Sequence, residues 1–198
     1  LLMVIFTKLL QAIRSKIFLS FLFVISAAFL SAFLDALTVT AVLITVTVGF
    51  YHVFDKSYKN NEITKDEFQE GKDFLADIIM HGAVGTALGG VCTIVGEPQN
   101  LLIADKANWE FMEFFIRMAP VTMPVLVAGL ISCLLIERFK VFGYGHQLSE
   151  TLRSKIVESA EKDDAERTNI QKIHLVIEAL LGICLIIALG AHIAPVGI

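Results

Sequence analysis

The longest apolar run of the chain lies between residues 18 and 50, and Asp35 is the one charged residue within it. A single helix of that length would reach roughly 50 Å, whereas the hydrocarbon core of a bilayer is about 30 Å thick. The pattern therefore predicts two apolar arms that meet near Asp35. We expect residues 18–50 to form a re-entrant helical hairpin, with a second full span as the alternative for the return arm.

Residues 74–104 form an apolar segment that is interrupted by the polar sequence Gly96-Glu97-Pro98-Gln99-Asn100. Irregular backbone at membrane depth persists only where protein or a water-filled cavity satisfies its polar groups. We therefore expect a discontinuous transmembrane helix with an unwound polar centre. The alternative is a surface turn between two separate spans.

The rest of the chain alternates between apolar and polar segments. Residues 119–136 and about 173–193 predict transmembrane helices, and residues 1–13 predict the end of a further membrane helix. The polar segments 51–73 and 137–172 predict loops that also carry helix-start signals. These signals are a capping box at Thr64-x-x-Glu67 and a cap at Ser149.

Composition and charge agree with this pattern. Hydrophobic residues make up 56% of the chain, which indicates an all-α integral membrane protein with one membrane domain over residues 1–198. All Lys and Arg residues except Lys106 and Arg117 lie in residues 8–16, 51–73 and 137–172, so the positive-inside rule places those segments in the cytoplasm. Because apolar runs stand at both ends and no initiator Met is present, we expect a piece of a larger protein.

Asp35 is the first candidate for chemistry, because a carboxylate at membrane depth costs about 2.5–3.5 kcal/mol. A buried acid can hold either a proton or a cation, and competition between the two is a simple exchange device. Thr38 and Thr40 offer hydroxyl oxygens beside it, of the kind that hard cations such as sodium prefer. The structural alternatives are a pair between Asp35 and an Arg or Lys, and hydroxyls that bond their own helix, which is favoured for Thr45 and Thr47.

Two further clusters qualify. The first surrounds the predicted helix break and comprises Thr93, Gly96, Glu97 and Asn100, with Glu97 as a second acid of an ion path. The second is the pair Asp77 and His81, which are one helical turn apart. That pair is either a helix-start pair at the interface or an entry path for protons.

Other function classes lack support. The sequence has no P-loop, no G-x-S-x-G and no H-E-x-x-H motif, so no enzyme is indicated. The cysteines have no zinc-ligand spacing and lie in apolar segments; they are Cys92, Cys133 and Cys184. Basic residues alternate with acids, which argues against nucleic-acid binding. We expect no cofactor.

Three segments carry a resemblance to a known family. The sequence from Ser31 to Val42 and the sequence from His81 to Leu101 resemble signatures of bacterial NhaB-type sodium/proton antiporters, and Phe139 to Gly145 is a weaker match. The resemblance implies secondary active transport, in which sodium, and also lithium, leaves across the bacterial inner membrane in exchange for protons. It also implies a multi-pass protein built from two inverted repeats, each with a re-entrant hairpin and a broken helix.

Under the resemblance, the hairpin tip and the helix break form half of a cation site. The residues implied at the tip and the break are Asp35, Thr38, Thr40, Thr93, Gly96 and Asn100, with sodium at Asp35, Thr38 and Asn100. Nothing in the chain repeats LDALT or GEPQN, so we expect the first repeat only, which needs the remainder of the parent chain to transport. A homodimer is implied by analogy alone.

Two other functions remain open. A sodium-coupled carboxylate symporter or an oxyanion efflux permease has the same fold, but Asp35 at the tip would repel an anion. A membrane scaffold subunit that does not transport would place Asp35 and Asn100 in a dry interface.

Overall fold

The computed structural model describes residues 15–166 and 168–190, and these form seven α-helices. The helices are α1 (Lys16–Phe33), α2 (Ala36–Lys59), α3 (Lys65–Gly90), α4 (Pro98–Ala107), α5 (Phe111–Phe139), α6 (Glu150–Glu166) and α7 (Asn169–Gly190). The membrane helix predicted over residues 1–13 and the last three residues of the helix predicted over 173–193 lie outside the described residues.

The predicted all-helical membrane class is confirmed for the described part of the chain, in which no strand occurs. By length and composition, α1, α2 and α5 are each able to cross a bilayer. Many large apolar side chains on α5 are exposed, which is typical of helices that face lipid or further membrane helices. They include Ile116, Val121, Val125, Val127, Ile131 and Leu135.

The polar segment 51–73 is mostly helical. Helix α2 continues to Lys59, and α3 begins at Lys65 after a short turn. The predicted capping box is present, because the Thr64 hydroxyl accepts from the Glu67 N–H and the Glu67 carboxylate accepts from the Thr64 N–H. The hydrogen bond from the Thr64 backbone N–H, and to a smaller extent the one from its hydroxyl, lower the pKa of the Glu67 carboxyl. Ser149 caps α6 as predicted, with its hydroxyl accepting from the Leu152 N–H at 3.3 Å.

Helix α3 is the centre of the fold. It packs along α1 and along α2, whereas α1 and α2 contact each other little. Small residues allow the closest approach, because glycines in α3 lie directly against the backbone of α1. A Cβ on Gly89 would lie 1.9 Å from the Ala28 carbonyl oxygen, and one on Gly85 would lie 2.4 Å from the Val24 carbonyl oxygen.

The amphipathic helix α6 covers the end of α2 and α3 that carries the polar turn. Leu152 and Ile156 are buried there against the core that includes Phe54 and Phe74. Lys155 adds an ion pair with Glu62, which lowers the pKa of the Glu62 carboxyl through their hydrogen bond.

We predict that Gly89→Ala separates α1 from α3 and destabilises the protein, because a backbone carbonyl cannot move aside as a flexible side chain does. Overpacking of this kind costs about 1–3 kcal/mol. The measurement is the thermal unfolding midpoint of the full-length protein in detergent. Gly182→Ala on α7 is the matched control, since nothing lies within 4 Å of its added Cβ. Equal midpoints for both variants would contradict the packing described above.

Candidate functional site

Two interruptions of the helical chain lie against each other. The first is the α1–α2 junction at Leu34 and Asp35, and the second is the non-helical segment 91–97 between α3 and α4. The Ala36 N–H donates to the Gly96 carbonyl at 3.1 Å. The Thr93 hydroxyl donates to the Ala32 carbonyl. The tip of the helix pair is therefore fastened to the helix break by one backbone and one side-chain hydrogen bond.

Asn100 closes the break from the other side. Its side-chain amide donates to the Gly90 carbonyl at 3.0 Å and to the Thr93 carbonyl at 2.8 Å. The Gly90 carbonyl belongs to the last turn of α3, where the helix leaves carbonyls without partners. A buried amide thus takes over a bond that the next turn of helix would have made, which explains how the break persists in an apolar environment.

Gly96 is required by the close approach of three chain segments. A Cβ at this position would lie 2.4 Å from the Gly90 carbonyl oxygen and 2.5 Å from the Ser31 carbonyl oxygen. No other residue type fits between the ends of α1 and α3 without moving backbone. The carbonyl groups of both helix ends are consequently held within a few ångströms of each other.

Asp35 is the N-cap of α2 and is half-buried. Its carboxylate accepts from the Thr38 N–H at 3.1 Å. The positive end of the helix dipole favours a negative charge there. Within residues 15–166 and 168–190, no Arg, Lys or His forms an ion pair with Asp35, so that part of the chain gives no support to a structural pair.

A second cluster of buried charges lies around the middle of α3. Asp77 pairs with Lys16 of α1, and Lys16 also lies 3.2 Å from Glu137 of α5. The Glu137 carboxylate faces His81 Nε2 at 3.7 Å. The backbone N–H groups of Gly145 and His146 donate to Asp77 at 3.2 and 3.1 Å. Four structural segments therefore converge on one carboxylate and its neighbours.

The family comparison decides which kind of protein carries these two clusters. The family model described as bacterial Na+/H+ antiporter B (NhaB) matches residues 1–198. The chain belongs to the NhaB family. It is 49% identical to a Na(+)/H(+) antiporter NhaB of Shewanella halifaxensis, 47% identical to one of Pseudomonas entomophila and 49% identical to one of Yersinia enterocolitica.

These matches cover 100% of this chain but 40%, 43% and 40% of the three relatives, so the chain spans about two fifths of an NhaB protein. No solved structure matches the chain. In the described residues, no group of three or more His, Cys, Asp or Glu side chains is arranged to hold a metal ion.

The structure brings some of the predicted site residues of this NhaB segment together and leaves others apart. Thr93, Gly96 and Asn100 are buried at the break, and Asp35 is next to the bond that fastens the tip to it. Thr38 is exposed, and its backbone N–H donates to the Asp35 carboxylate that caps α2.

Thr40 lies on α2 away from the break, whereas Glu97 ends the non-helical segment and its carboxylate lies near Gly90, with Oε1 at 3.0 Å from the position of a Cβ there. The Thr40 hydroxyl lies 3.4 Å from the Thr86 hydroxyl, whose own proton goes to the Ala83 carbonyl. Glu97 is half-buried, and its carboxylate accepts from the side-chain amide of Gln99 at 3.3 Å. Two hydroxyls further along α2 bond their own helix, as the structural alternative predicted; they belong to Thr45 and Thr47.

Sequence reasoning missed two members of the charged cluster. By sequence, Lys16 falls in the basic segment 8–16 and Glu137 in the polar segment 137–172, yet both side chains are buried. The alternative that Asp77 and His81 mark a helix start is wrong, because α3 begins at Lys65. The signal that could have found Glu137 is its position between an apolar span and the FKVFGYG segment, which folds over Asp77.

We predict that Asn100→Asp destabilises the helix break, because a carboxylate cannot donate to the Gly90 and Thr93 carbonyls. Each buried carbonyl left without a donor costs about 1–3 kcal/mol. The unfolding midpoint of the full-length protein measures the effect. Asn60→Asp is the control, since Asn60 is exposed at the C-terminal end of α2 and its side-chain amide donates to the carboxylate of the exposed Glu62 at 3.2 Å. An unchanged midpoint for Asn100→Asp would show that the amide does not hold the break.

Proposed function

We propose that the parent protein exchanges sodium or lithium for protons across the bacterial inner membrane, and that Asp35 binds the cation and the proton in turn. Membership of the NhaB family supports this, since the relatives are named Na(+)/H(+) antiporters. The observation that carries the proposal is the junction of the two helix breaks beside Asp35, a half-buried carboxylate that lacks an ion pair in the described part of the chain.

The local electrostatics suit an exchange between two cations. Asp35 is stabilised as an anion by the first turn of α2, and a cation beside it neutralises that charge. Carbonyl groups at the ends of α1 and α3 point their negative dipole ends toward the same region. A proton on Asp35 removes the charge that attracts sodium, so the two bind competitively.

We assign different roles to the predicted sodium ligands. Asp35 and the Thr38 hydroxyl are proposed as side-chain ligands at the tip. Asn100 and Thr93 are proposed as positioning residues, because their hydrogen bonds to carbonyls at Gly90, Thr93 and Ala32 hold the break in place. Gly96 is proposed to let the ends of α1 and α3 approach closely and to offer its backbone carbonyl beside the site.

We also propose that α1 and α2 form a re-entrant pair. Lys16 and Glu137 are in contact and so lie at the same depth. From there the tip at Asp35 is about 28 Å away along α1, whereas α5 extends about 39 Å from Glu137 to Phe111. The tip would then stop short of the level at which α5 ends. This arrangement fits the positive-inside count, which assigns both polar segments to the cytoplasm.

We predict that Asp35→Asn abolishes sodium-dependent proton movement by the full-length protein in proteoliposomes while the protein still folds. Asn caps a helix about as well as Asp, so the substitution removes the charge and keeps the cap. The measurement is the collapse of an imposed pH gradient on adding sodium or lithium, with radioactive sodium efflux as a second readout.

Asp55→Asn is the matched control, because Asp55 is a carboxylate of the same helix that pairs with the exposed Lys59. It should exchange at the unaltered rate. Normal exchange by Asp35→Asn would overturn the role of Asp35. Uptake of labelled succinate in place of sodium efflux would indicate a symporter, and a lack of any ion flux in the unaltered protein would indicate a scaffold.

We predict that single cysteines at Lys59 and Glu161 react from the cytoplasmic side and that one at Lys106 reacts from the opposite side. All three positions are exposed. The measurement is labelling by a membrane-impermeant maleimide in right-side-out and inside-out vesicles, on a background without Cys92, Cys133 and Cys184. Labelling of Lys59→Cys and Glu161→Cys from opposite sides would contradict the proposed topology.

A further inference from the structure

The charged side chains that α1, α3 and α5 bring together are almost completely buried. The side chains of Asp77 and Glu137 are each 1% exposed, that of His81 is 2% exposed and that of Lys16 is 8% exposed. Charges are rarely buried to this degree unless they balance. The arrangement of charge and protons within the cluster is therefore tightly constrained.

The tautomer of His81 follows from its own helix. Its Nδ1 lies 3.0 Å from the Asp77 backbone carbonyl, which can only accept, so Nδ1 carries a hydrogen and donates. In a neutral imidazole, Nε2 would then be a bare acceptor. That nitrogen faces the Glu137 Oε2 atom at 3.7 Å, and both atoms are buried with no hydrogen-bond partner among residues 15–166 and 168–190. Two acceptors facing each other in a dry site repel unless a proton lies between them.

The charge count leads to the same requirement. Among the described residues, with both histidines neutral, Lys16 places one positive charge against the two carboxylates of Asp77 and Glu137, which leaves one negative charge that these residues do not compensate. One added proton makes the buried cluster neutral. His146 faces Asp77 at 3.3 Å, but its side chain is 40% exposed and its charge is shared with solvent.

The other neighbours in the described part of the chain do not supply this proton. The Tyr144 ring lies edge-on against His81 with centroids 4.8 Å apart, and Lys16 lies 5.3 Å from the centroid of Phe74. Burial is the main cause that raises the pKa of the Tyr144 hydroxyl, and its interactions with Cys133, Asp77 and Glu137 raise it further. Tyr144 therefore keeps its own proton at neutral pH and adds no charge to the cluster.

We propose that His81 Nε2 and Glu137 Oε2 share one bound proton, which forms an imidazolium–carboxylate pair that fastens α5 to α3. The pair is a proton-binding site separate from the one at Asp35, and it does not depend on sodium binding or on transport. Asp77 fixes the tautomer through its carbonyl, and Lys16 balances its carboxylate. Loss of the proton leaves a net negative charge among α1, α3 and α5, which weakens their contact as the pH rises.

The proton is observable directly by solid-state NMR of the full-length transporter in lipid, labelled with 15N-histidine. Spectra are recorded at about pH 8, well above the value of about 6.5 at which a free imidazole loses its proton. We expect one histidine to show two protonated ring nitrogens, and this signal to vanish in His81→Gln. Labelling of glutamate carboxyls with 13C detects the proximity of the two groups in the unchanged protein.

Glu137→Gln tests the charge balance. Lys16 and Asp77 then balance without a proton, so we expect His81 to become a neutral imidazole at the same pH. Glu113→Gln is the control on the same helix, because Glu113 pairs with the exposed Arg117, and it should leave the His81 signal unchanged, as should His52→Gln at an exposed histidine.

Three results would overturn the proposal. One is a neutral His81 in the unchanged protein at pH 8, which needs no variant to fold. Another is an imidazolium that persists in Glu137→Gln. The third concerns stability. As the pH is raised from about 7 to about 9, the thermal unfolding midpoint of the unchanged protein should decrease more than that of Glu137→Gln, because the native state of the unchanged protein binds one more proton than its unfolded state. An equal pH dependence in both proteins would show that no such proton is held.

Discussion

Backbone polar groups at interrupted helices are the constraint on which this structure depends. A helix that stops in an apolar environment leaves carbonyl and N–H groups that must find partners within the protein. The two interruptions supply each other with hydrogen-bond partners. The Ala36 N–H at the start of α2 donates to the Gly96 carbonyl, and the Thr93 hydroxyl donates to the Ala32 carbonyl near the end of α1. The position of Asp35 relative to the break is a consequence of this mutual satisfaction.

Close packing makes that exchange of hydrogen bonds feasible. The glycines of α3 bring its backbone against α1, so the ends of both helices arrive at the same place. Around the middle of α3 buried charges must be balanced, and ion pairs with neighbouring helices do this. Lys16, Asp77, His81 and Glu137 bury their charges together, with the 139–146 segment closing over them. Helix α3 thus carries a polar backbone junction at its C-terminal end and an ionic junction around its middle.

The two junctions are well separated along α3. Asp77 and the last residue of α3 are about 20 Å apart along the helix, so the two clusters do not share ligands. The sodium chemistry proposed at Asp35 and the bound proton proposed at His81 are therefore distinct. The exposed apolar faces of α5 and α7 and the limited share of the relatives that the chain covers agree with further membrane helices in the parent protein.

The sequence by itself determined the class of protein, the interruption near Asp35, the break near Gly96 and the capping box at Thr64, because apolar run length, proline, glycine and capping patterns act locally. It also pointed to Asp35, since an isolated acid in an apolar run is costly wherever it lies. Only the tertiary structure decided that Glu137 and Lys16 are buried partners and that Asn100 closes the break. Those pairings join residues far apart in the chain, and no local pattern encodes which distant group satisfies a buried charge or carbonyl.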